Sequence, residues 1–222
     1  SLGIRFGQEP LSSVTYRHSI ILGSSVDIIK VDLKDSRISI TPVVAKNFPN
    51  RPEPFETMVA RENPVAAING NFFSPDTFKP IGDIVIDGKL VYFGGLGTAM
   101  AITSDNKIEF IKVEPNRRIN WKGYKAVISC GPQLIENGKI IPDAAAQGFK
   151  DPGLFAPRNR SAVGITKDDY LLLVIVHSPI YFKDLARIMK ELGCADAMNL
   201  DGGSSSGLYY KGEYMREPRT LL

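Results

Sequence analysis

Short apolar runs separated by two- or three-residue polar turns dominate the chain, and this pattern predicts many short β-strands. Dipeptides such as Asp87-Gly88 and Asn137-Gly138 favour tight hairpins, because type I′ turns need positive φ at both central residues. The predicted hairpins pair Val26–Leu33 with Arg37–Val44, Asp83–Ile86 with Lys89–Tyr92, Ala99–Thr103 with Lys107–Val113, Gln133–Glu136 with Lys139–Ile141, Ser161–Thr166 with Tyr170–His177, and Leu208–Tyr210 with Glu213–Met215.

Two stretches have helical rather than strand periodicity. Phe55–Glu62 predicts a short helix that buries Met58 and Val59 and ends before Pro64. Between Phe182 and Leu192 the apolar residues recur at i, i+3, i+4 and i+7, which predicts a helix with one buried stripe. These apolar residues are Leu185, Ile188, Met189 and Leu192, and Gly193 follows as a helix-ending residue.

The second helix connects two apolar strands. Tyr170–Val176 is apolar on both faces, as expected of a central strand covered on both sides, and Ala197–Leu200 follows the helix. This succession predicts one parallel βαβ crossover within a mostly antiparallel fold. Residues 142–159 show no periodicity and are predicted to form a long loop. We therefore expect an α+β fold with strand-rich mixed sheets and few helices, in a single domain over residues 1–222.

Composition narrows the possible functions. Hydrophobic residues make up 43% and charged residues 23%, as in ordinary globular proteins. The net charge is only +3, with basic residues clustered no further than pairs such as Arg117-Arg118, which argues against nucleic-acid binding. The chain lacks the run of about 20 apolar residues that spans a membrane. Cys130 and Cys194 lie outside any CxxC pattern, which argues against zinc, and they form either one disulfide or two buried thiols.

The stretch from Ala195 to Gly207, ADAMNLDGGSSSG, is the strongest candidate for chemistry. A buried strand carries Asn199 and Asp201 into Gly202, Gly203 and Ser204. Glycine lets a ligand approach the backbone, whose N–H groups can then form an anion-binding concavity. The alternative is a strand followed by an ordinary polar turn.

Four stretches share this form of an apolar strand followed by polar groups and glycine. They are INGNFF (68–73), CGPQLIENG (130–138), APRNRSAVG (156–164) and NLDGGSSSG (199–207). If their ends converge, they bring together amides, an arginine and a carboxylate. Arginine binds phosphate in a bidentate manner and amides suit sugar hydroxyls, so this set predicts a sugar-phosphate site.

In this order the four stretches resemble the phosphodiester glycosidase family, from about Tyr16 to Tyr210. The resemblance implies hydrolysis of a sugar-1-phosphodiester at the glycosidic bond, which releases the sugar and a phosphomonoester. It assigns the catalytic role to Asp201 and substrate binding to Asn69, Arg160, Asn199, Gly202, Gly203 and Ser204. Asn71 stands where many members of the family have Gly or Asp, and we predict that it also binds the substrate. His177 stands where the family commonly has the aspartate of an Asp-Gly-Arg segment, so we predict that His177 replaces it as a catalytic group.

Each candidate also has a structural interpretation. Asp201 could brace a turn, Arg160 could form a salt bridge, and Asn69 could satisfy strand-end backbone groups. His177 could be a hydrogen-bonded core histidine. Asp76 and Asp83 are each a candidate for a second catalytic carboxylate beside Asp201. Phe72 and Phe73 are predicted to pack in the core rather than to stack against a sugar ring.

The same residues leave two other functions open. One is a carbohydrate-binding protein of exopolysaccharide or envelope metabolism without turnover, and a weaker one is a metal-dependent phosphodiesterase. We expect no cofactor, with a divalent cation left open, and a sugar-phosphate or glycan as the partner. If the substrate is a glycan, we expect the protein to be secreted or otherwise extracytoplasmic.

Overall fold

The computed structural model describes residues 2–6, 13–49, 51–74, 76–115, 117–141 and 143–221. The helices are α1 (Phe55–Glu62), α2 (Pro152–Phe155) and α3 (Phe182–Glu191), and Gly203–Ser205 forms a 3₁₀ turn. The strands are β1 (Leu2–Phe6), β2 (Val14–Ile21), β3 (Ser24–Asp32), β4 (Ile38–Pro42), β5 (Ala66–Ile68), β6 (Ile84–Ile86), β7 (Lys89–Tyr92), β8 (Gly97–Ile102), β9 (Ile108–Val113), β10 (Ala126–Cys130), β11 (Gln133–Glu136), β12 (Lys139–Ile140), β13 (Arg158–Thr166), β14 (Tyr170–Ile180), β15 (Cys194–Asn199), β16 (Leu208–Tyr210) and β17 (Glu213–Arg216).

The strands form three sheets. A seven-stranded sheet has the order β12-β11-β15-β13-β14-β3-β2, and two five-stranded sheets have the orders β17-β16-β5-β1-β4 and β7-β6-β10-β8-β9. Neighbouring strands within the described sheets pair antiparallel. The expected α+β class with mostly antiparallel sheets is confirmed.

Five of the predicted hairpins are confirmed, namely β6–β7, β8–β9, β11–β12, β13–β14 and β16–β17. The two tight turns adopt the backbone that their sequences favour. Asp87 and Gly88 have φ of 49° and 74°, and Asn137 and Gly138 have φ of 48° and 77°. Local turn chemistry therefore set these pairings.

The prediction that Val26–Leu33 pairs with Arg37–Val44 is wrong. β3 pairs with β2 and β14, whereas β4 pairs with β1 in a different sheet. The Asp35 carboxylate accepts hydrogen bonds from the backbone and side chain of Arg37 and from the Ser13 hydroxyl, so it stabilises a bend between sheets. Residues 142–159 are also not one continuous loop, since α2 forms within them and β13 begins at Arg158.

Both predicted helices are present. α1 buries Phe55, Met58 and Val59 and ends at Asn63, which adopts the left-handed conformation. α3 buries Leu185, Ile188 and Met189, among others, and connects β14 to β15. Because β14 and β15 each pair antiparallel with β13, they run parallel to each other with β13 between them. The crossover thus has the predicted direction but skips one strand.

β14 separates two regions of the core. Leu171, Leu173 and Ile175 face a core shared by all three sheets, while Leu172 and Val174 face α3. This explains why β14 is apolar at every position from Leu171 to Val176. The start of β13 and the ends of β14 and β15 lie together at the edge of the shared core. The polar residues of the candidate site begin there.

Candidate functional site

Asp201 lies where the chain leaves the seven-stranded sheet for β16. Leu200 N–H donates to the carbonyl of Ser161 in β13 at 2.8 Å. The next residue, Asp201, donates its N–H to the Gly70 carbonyl at 3.0 Å, just after β5. The two sheets therefore hold Asp201 between them, and its position is set by backbone pairing on both sides.

Asn69 closes the loop that follows Asp201. Its Nδ2 donates to the Asp201 carbonyl at 2.6 Å, and its Oδ1 accepts from Gly207 N–H at 3.1 Å. Asn69 is fully buried. One amide thus joins both ends of the loop, so the structure gives Asn69 the backbone-satisfying arrangement expected at a strand end.

The loop itself depends on two glycines. A Cβ on Gly202 would lie 2.7 Å from the Asn159 carbonyl oxygen, so a side chain there would clash with β13. Gly203 has φ of 64° and starts the 3₁₀ turn, in which Ser204 is exposed and Ser205 is buried. The glycines therefore allow the loop to pack tightly against β13.

The carboxyl group of Asp201 is electrostatically perturbed. Burial raises its pKa from 3.8 to about 6, although the Ser205 hydroxyl, Gly202 N–H and the charge of Arg158 lower it. Gly202 N–H donates to Oδ1 at 2.8 Å. A carboxyl group with such a pKa changes protonation state near neutral pH, as suits an acid or base in catalysis.

Asp201 lines a pocket with about 680 Å³ of empty space, part of it open to solvent. The walls are largely apolar and include Val43, Phe48, Pro49, Met58, Phe73 and Phe78. Asn69 and Asn71 also line it, and Asn71 Nδ2 is buried with no hydrogen-bond partner in the described part of the chain. A concave pocket with few polar groups beside a titratable carboxyl group is typical of a small-molecule site.

Arg160 is not brought together with the Asp201 side chain. It is 1% exposed, and its guanidinium donates to the carbonyls of Ile180, Leu154 and Ala156. It also stacks on the Phe182 ring at 4.0 Å. Burial and the nearby Arg158 lower its pKa to about 10. These contacts brace the chain before β13, while phosphate binding by Arg160 stays a prediction.

Asn199 also holds the backbone. Its Nδ2 donates to the carbonyls of Gly131 and Leu200 at 3.0 and 2.6 Å, tying β15 to the β10–β11 connection. The Oδ1 atom is buried without a partner in the described part.

His177 lies near the end of β14, and both of its ring nitrogens have partners. Nε2 lies 2.6 Å from Asp27 Oδ2, and Nδ1 lies 3.4 Å from Arg216 NH1. Arginine can only donate, so Nδ1 accepts and Nε2 carries the proton that it donates to Asp27. In this arrangement neither ring nitrogen is free to act on a substrate. The catalytic role of His177 stays a prediction.

Asp27 lies at the centre of a polar cluster that consists of Tyr16, His18, Asp27 and His177. Its Oδ1 atom accepts from Tyr16 at 2.9 Å and lies 2.7 Å from His18 Nδ1. Burial raises the pKa of Asp27, but the hydrogen bonds with His177, His18 and Tyr16 outweigh it, so the pKa lies below its ordinary value. Burial and the Asp27 carboxylate raise the pKa of Tyr16 to about 12.

Sequence reasoning missed Arg158, Asn159, Asp27 and Arg216. A bulge between Arg158 and Arg160 breaks the register with β14. Asn159 Nδ2 donates to the His177 carbonyl, and exposed Arg158 is the arginine whose charge acts on Asp201. The stretch APRNRS contains both arginines, and no local signal shows which one faces the loop.

Asp76 and Asp83 differ as candidates for a second carboxylate. Asp83 is fully buried and accepts from Gly94 N–H, Gly95 N–H and Trp121 Nε1, each at 2.9 Å. It is therefore a structural group, while Asp76 is exposed. Phe72 packs against Phe149 in the core, and Phe73 lines the pocket.

Cys130 and Cys194 are free and buried, and burial raises the pKa of each thiol to about 12. Across the described ranges there is no group of three or more His, Cys, Asp or Glu side chains arranged to hold a metal ion.

Comparisons with known structures agree with this architecture. The chain matches a hypothetical protein from Synechocystis with a TM-score of 0.79 at 17% identity, covering 99% of this chain and 60% of that one. It matches the zebrafish N-acetylglucosamine-1-phosphodiester alpha-N-acetylglucosaminidase catalytic domain, auto-inhibited by its pro-peptide, with a TM-score of 0.75 at 21% identity, covering 98% and 80%. A putative exported protein from Burkholderia pseudomallei matches with a TM-score of 0.54 at 15% identity, covering 89% and 71%.

At these identities the structural matches show a shared fold, and the chain spans 60% of the Synechocystis protein. No curated protein matches it. The family model for phosphodiester glycosidases matches residues 62–221, a range that contains β5, the loop after Asp201 and both strands that flank it. Since that match covers most of the sequence, the chain belongs to the phosphodiester glycosidase family.

Proposed function

We propose that this protein hydrolyses a sugar-1-phosphodiester at the glycosidic C–O bond, with Asp201 acting at the anomeric carbon. The observation that carries the proposal is the position of Asp201, a buried carboxyl group whose pKa is raised to about 6, in the wall of a largely apolar pocket that Arg51, Asn69 and Asn71 also line. Above that pH the carboxylate is ionised and still basic enough to take a proton from water. The family to which the chain belongs supports this reaction class.

The proposed reaction needs only one strong acid–base group. Water oxygen bonds to the anomeric carbon, the bond from that carbon to the phosphate oxygen breaks, and Asp201 receives the water proton. The leaving group is a phosphomonoester, which is a much weaker base than an alkoxide, so it can depart without protonation. Asn71 supplies an unpartnered Nδ2 donor on the pocket wall for a sugar hydroxyl.

The test is to incubate the protein in ¹⁸O-labelled water with a set of phosphodiesters in which the phosphate joins C1 of different sugars to a methyl group. We expect the released phosphomonoester to carry no label, because the bond between carbon and oxygen is broken, whereas a phosphodiesterase places the label in the phosphate. Asp201→Asn should lower kcat/KM by about 10²-fold or more. Asp196→Asn is the matched control, because Asp196 lies in β15 and contacts Asn137 N–H. Undiminished activity in Asp201→Asn refutes the proposal.

One observation favours a second function, a sugar-phosphate-binding protein without turnover. His177, which the sequence predicts to replace the family's common aspartate, has both ring nitrogens engaged by Asp27 and Arg216. Under this alternative, calorimetry detects sugar-phosphate binding while no free sugar forms over long incubation. Product formation that depends on Asp201 excludes it.

We also propose an extracytoplasmic location and a glycan or envelope-polymer substrate. One structural match is titled a putative exported protein, and a polymer substrate of this class lies outside the cytoplasm. Within the described ranges, none of the helices has the length and apolar character needed to cross a membrane. Fractionation of the source cells followed by immunoblotting tests the location.

A further inference from the structure

The polar groups of the Asp201 pocket lie together at one end of it. Asn69 Nδ2 donates to the Asp201 carbonyl at 2.6 Å, and Asp201 N–H donates to the Gly70 carbonyl at 3.0 Å. Asn71 follows in the same segment, and its Nδ2 is buried with no hydrogen-bond partner in the described part of the chain. Asp201 and Asn71 therefore form the end of the pocket at which hydrogen bonds can hold a sugar.

The rest of the pocket wall is largely apolar and offers few hydrogen-bonding groups. Four of the residues in this wall are prolines, which have no backbone N–H, namely Pro42, Pro49, Pro52 and Pro80. The carbonyl of Val44 already accepts from Arg61 at 2.9 Å, and the carbonyl of Ala45 accepts from Phe48 N–H at 3.0 Å. Arg51 also lines the wall, but it is exposed to solvent. A buried hydroxyl without a partner is unfavourable, so this part of the pocket suits a hydrocarbon rather than a sugar ring.

Phe78 presents an exposed aromatic ring in this apolar wall. It is 43% exposed and stacks on Phe73, with the ring centroids 6.0 Å apart. Its φ of 56° lies in the left-handed region, which bulky residues seldom adopt. Hydrogen bonds from Phe78 N–H to the Ser74 carbonyl and from Ser74 N–H to the Lys79 carbonyl, both at 2.8 Å, close the turn that holds it there. An exposed ring that is kept in a strained conformation at a pocket indicates a binding role for that ring.

We propose that the apolar part of the pocket binds a hydrocarbon chain, so that the substrate is a phosphodiester between C1 of a sugar and a lipid alcohol. The sugar lies against Asp201 and Asn71, and the chain extends from the phosphate along Phe78 and the four prolines. Each CH₂ group that enters the pocket removes apolar surface from water, which favours binding.

This arrangement is compatible with the proposed reaction. Water oxygen bonds to the anomeric carbon, the bond from that carbon to the phosphate oxygen breaks, and Asp201 receives the water proton. The alkyl phosphate then leaves on the side away from Asp201, where the wall is apolar. That the chain belongs to the leaving group rests on the proposed function, whereas the affinity of the pocket for a hydrocarbon chain does not.

Isothermal titration of the full chain with methyl, butyl and hexyl phosphate tests the apolar part of the pocket without turnover. We expect the affinity to rise about threefold or more for each added CH₂ group that the pocket buries. An affinity that does not rise from methyl to hexyl phosphate, or no binding of hexyl phosphate at millimolar concentration, overturns the proposal.

Phe78→Asn tests the site without impairing the fold. Asparagine adopts positive φ more readily than phenylalanine does, so the variant should keep the wild-type Tm or raise it. It lacks the exposed ring, so hexyl phosphate should bind about fivefold more weakly, while methyl phosphate should be unaffected. Phe155→Asn is the matched control and should bind as wild type, because Phe155 is 39% exposed in α2, outside the described pocket wall. A Phe78→Asn variant that binds hexyl phosphate as tightly as wild type refutes the proposal.

Kinetics distinguish a chain on the leaving group from a chain on the sugar. The hexyl diester of one sugar should have a kcat/KM about tenfold or more above that of its methyl diester. A hexanoyl ester on the sugar of the methyl diester should give no such gain. A gain from the hexanoyl group alone would place the chain on the sugar and overturn the proposal.

The hydrocarbon site and the proposed reaction fail in different ways. If hexyl phosphate binds as expected but no diester is hydrolysed, the hydrocarbon site stands and the reaction fails. If methyl and hexyl diesters are hydrolysed with equal kcat/KM and chain length does not affect the binding of alkyl phosphates, the reaction stands and the hydrocarbon site fails.

Discussion

Replacing Asp201 by asparagine should stabilise the protein at alkaline pH. The pKa of Asp201 is raised from 3.8 to about 6, mainly by burial, so the folded state binds its proton more tightly than the unfolded chain does. The free energy of unfolding contributed by this group is therefore present below about pH 4 and is lost as the pH rises through about 6. Each pH unit between the two pKa values corresponds to about 1.36 kcal/mol, so the loss amounts to about 3 kcal/mol.

The assay is urea denaturation of both proteins between pH 4 and pH 8. Asparagine keeps an oxygen that can accept from Gly202 N–H but carries no charge, so the two proteins should be almost equally stable at pH 4. The variant should then gain up to about 3 kcal/mol relative to wild type by pH 8. A variant that is less stable at pH 8, or a stability difference that does not change with pH, would show that burial does not raise this pKa.

Asp83→Asn is the matched control for this experiment. Asp83 is also buried, but both of its oxygens accept hydrogen bonds, from Gly94, Gly95 and Trp121. An amide NH₂ would face one of those donors, so this variant should be destabilised by about 1–3 kcal/mol. The same substitution is thus expected to have opposite effects at the candidate catalytic residue and at a structural one.

Three other substitutions or treatments have distinct expected outcomes. Asn69→Ala removes both bonds that join the ends of the loop and should lower the free energy of unfolding by about 2 kcal/mol or more, whereas an unchanged urea midpoint would contradict this. Arg160→Lys should lower Tm, because one ammonium cannot reach three carbonyls and stack on Phe182, and a wild-type Tm would show that these contacts are dispensable. Cys130 and Cys194 should react with Ellman's reagent at pH 8 only after denaturation, since both thiols are buried with a pKa of about 12; fast labelling of native protein would exclude this.

Much of the secondary structure could be predicted because its causes are local. Asp87-Gly88 and Asn137-Gly138 need partners only a few residues away, and the turns adopted the positive φ values that these dipeptides favour. The apolar stripe of α3 follows from helical periodicity. The pairing of β3 was mispredicted because β2 and β14, rather than the adjacent β4, offered it hydrogen-bonding edges.

The candidate site could be predicted only in outline. Asp201 and its glycines are contiguous in sequence, so their pattern was visible, and Asn69 and Asn71 do line the same pocket as Asp201. The sequence did not show which arginine lies near Asp201, because this depends on a bulge that shifts the register between Arg158 and Arg160. Asp27 carried no motif at all, although it organises His177, His18 and Tyr16.

The hairpins, the helices and the Asp-Gly-Gly loop are encoded locally, since each depends on residues that are neighbours in the chain. The surroundings of Asp201 and His177 instead arise from contacts between distant segments. The bond between His177 and Asp27 spans 150 residues, and the one between Asn69 and Asp201 spans 132. Such contacts depend on how the sheets pack together. Burial gives Asp201 its raised pKa, and that burial exists only once distant strands have assembled around it.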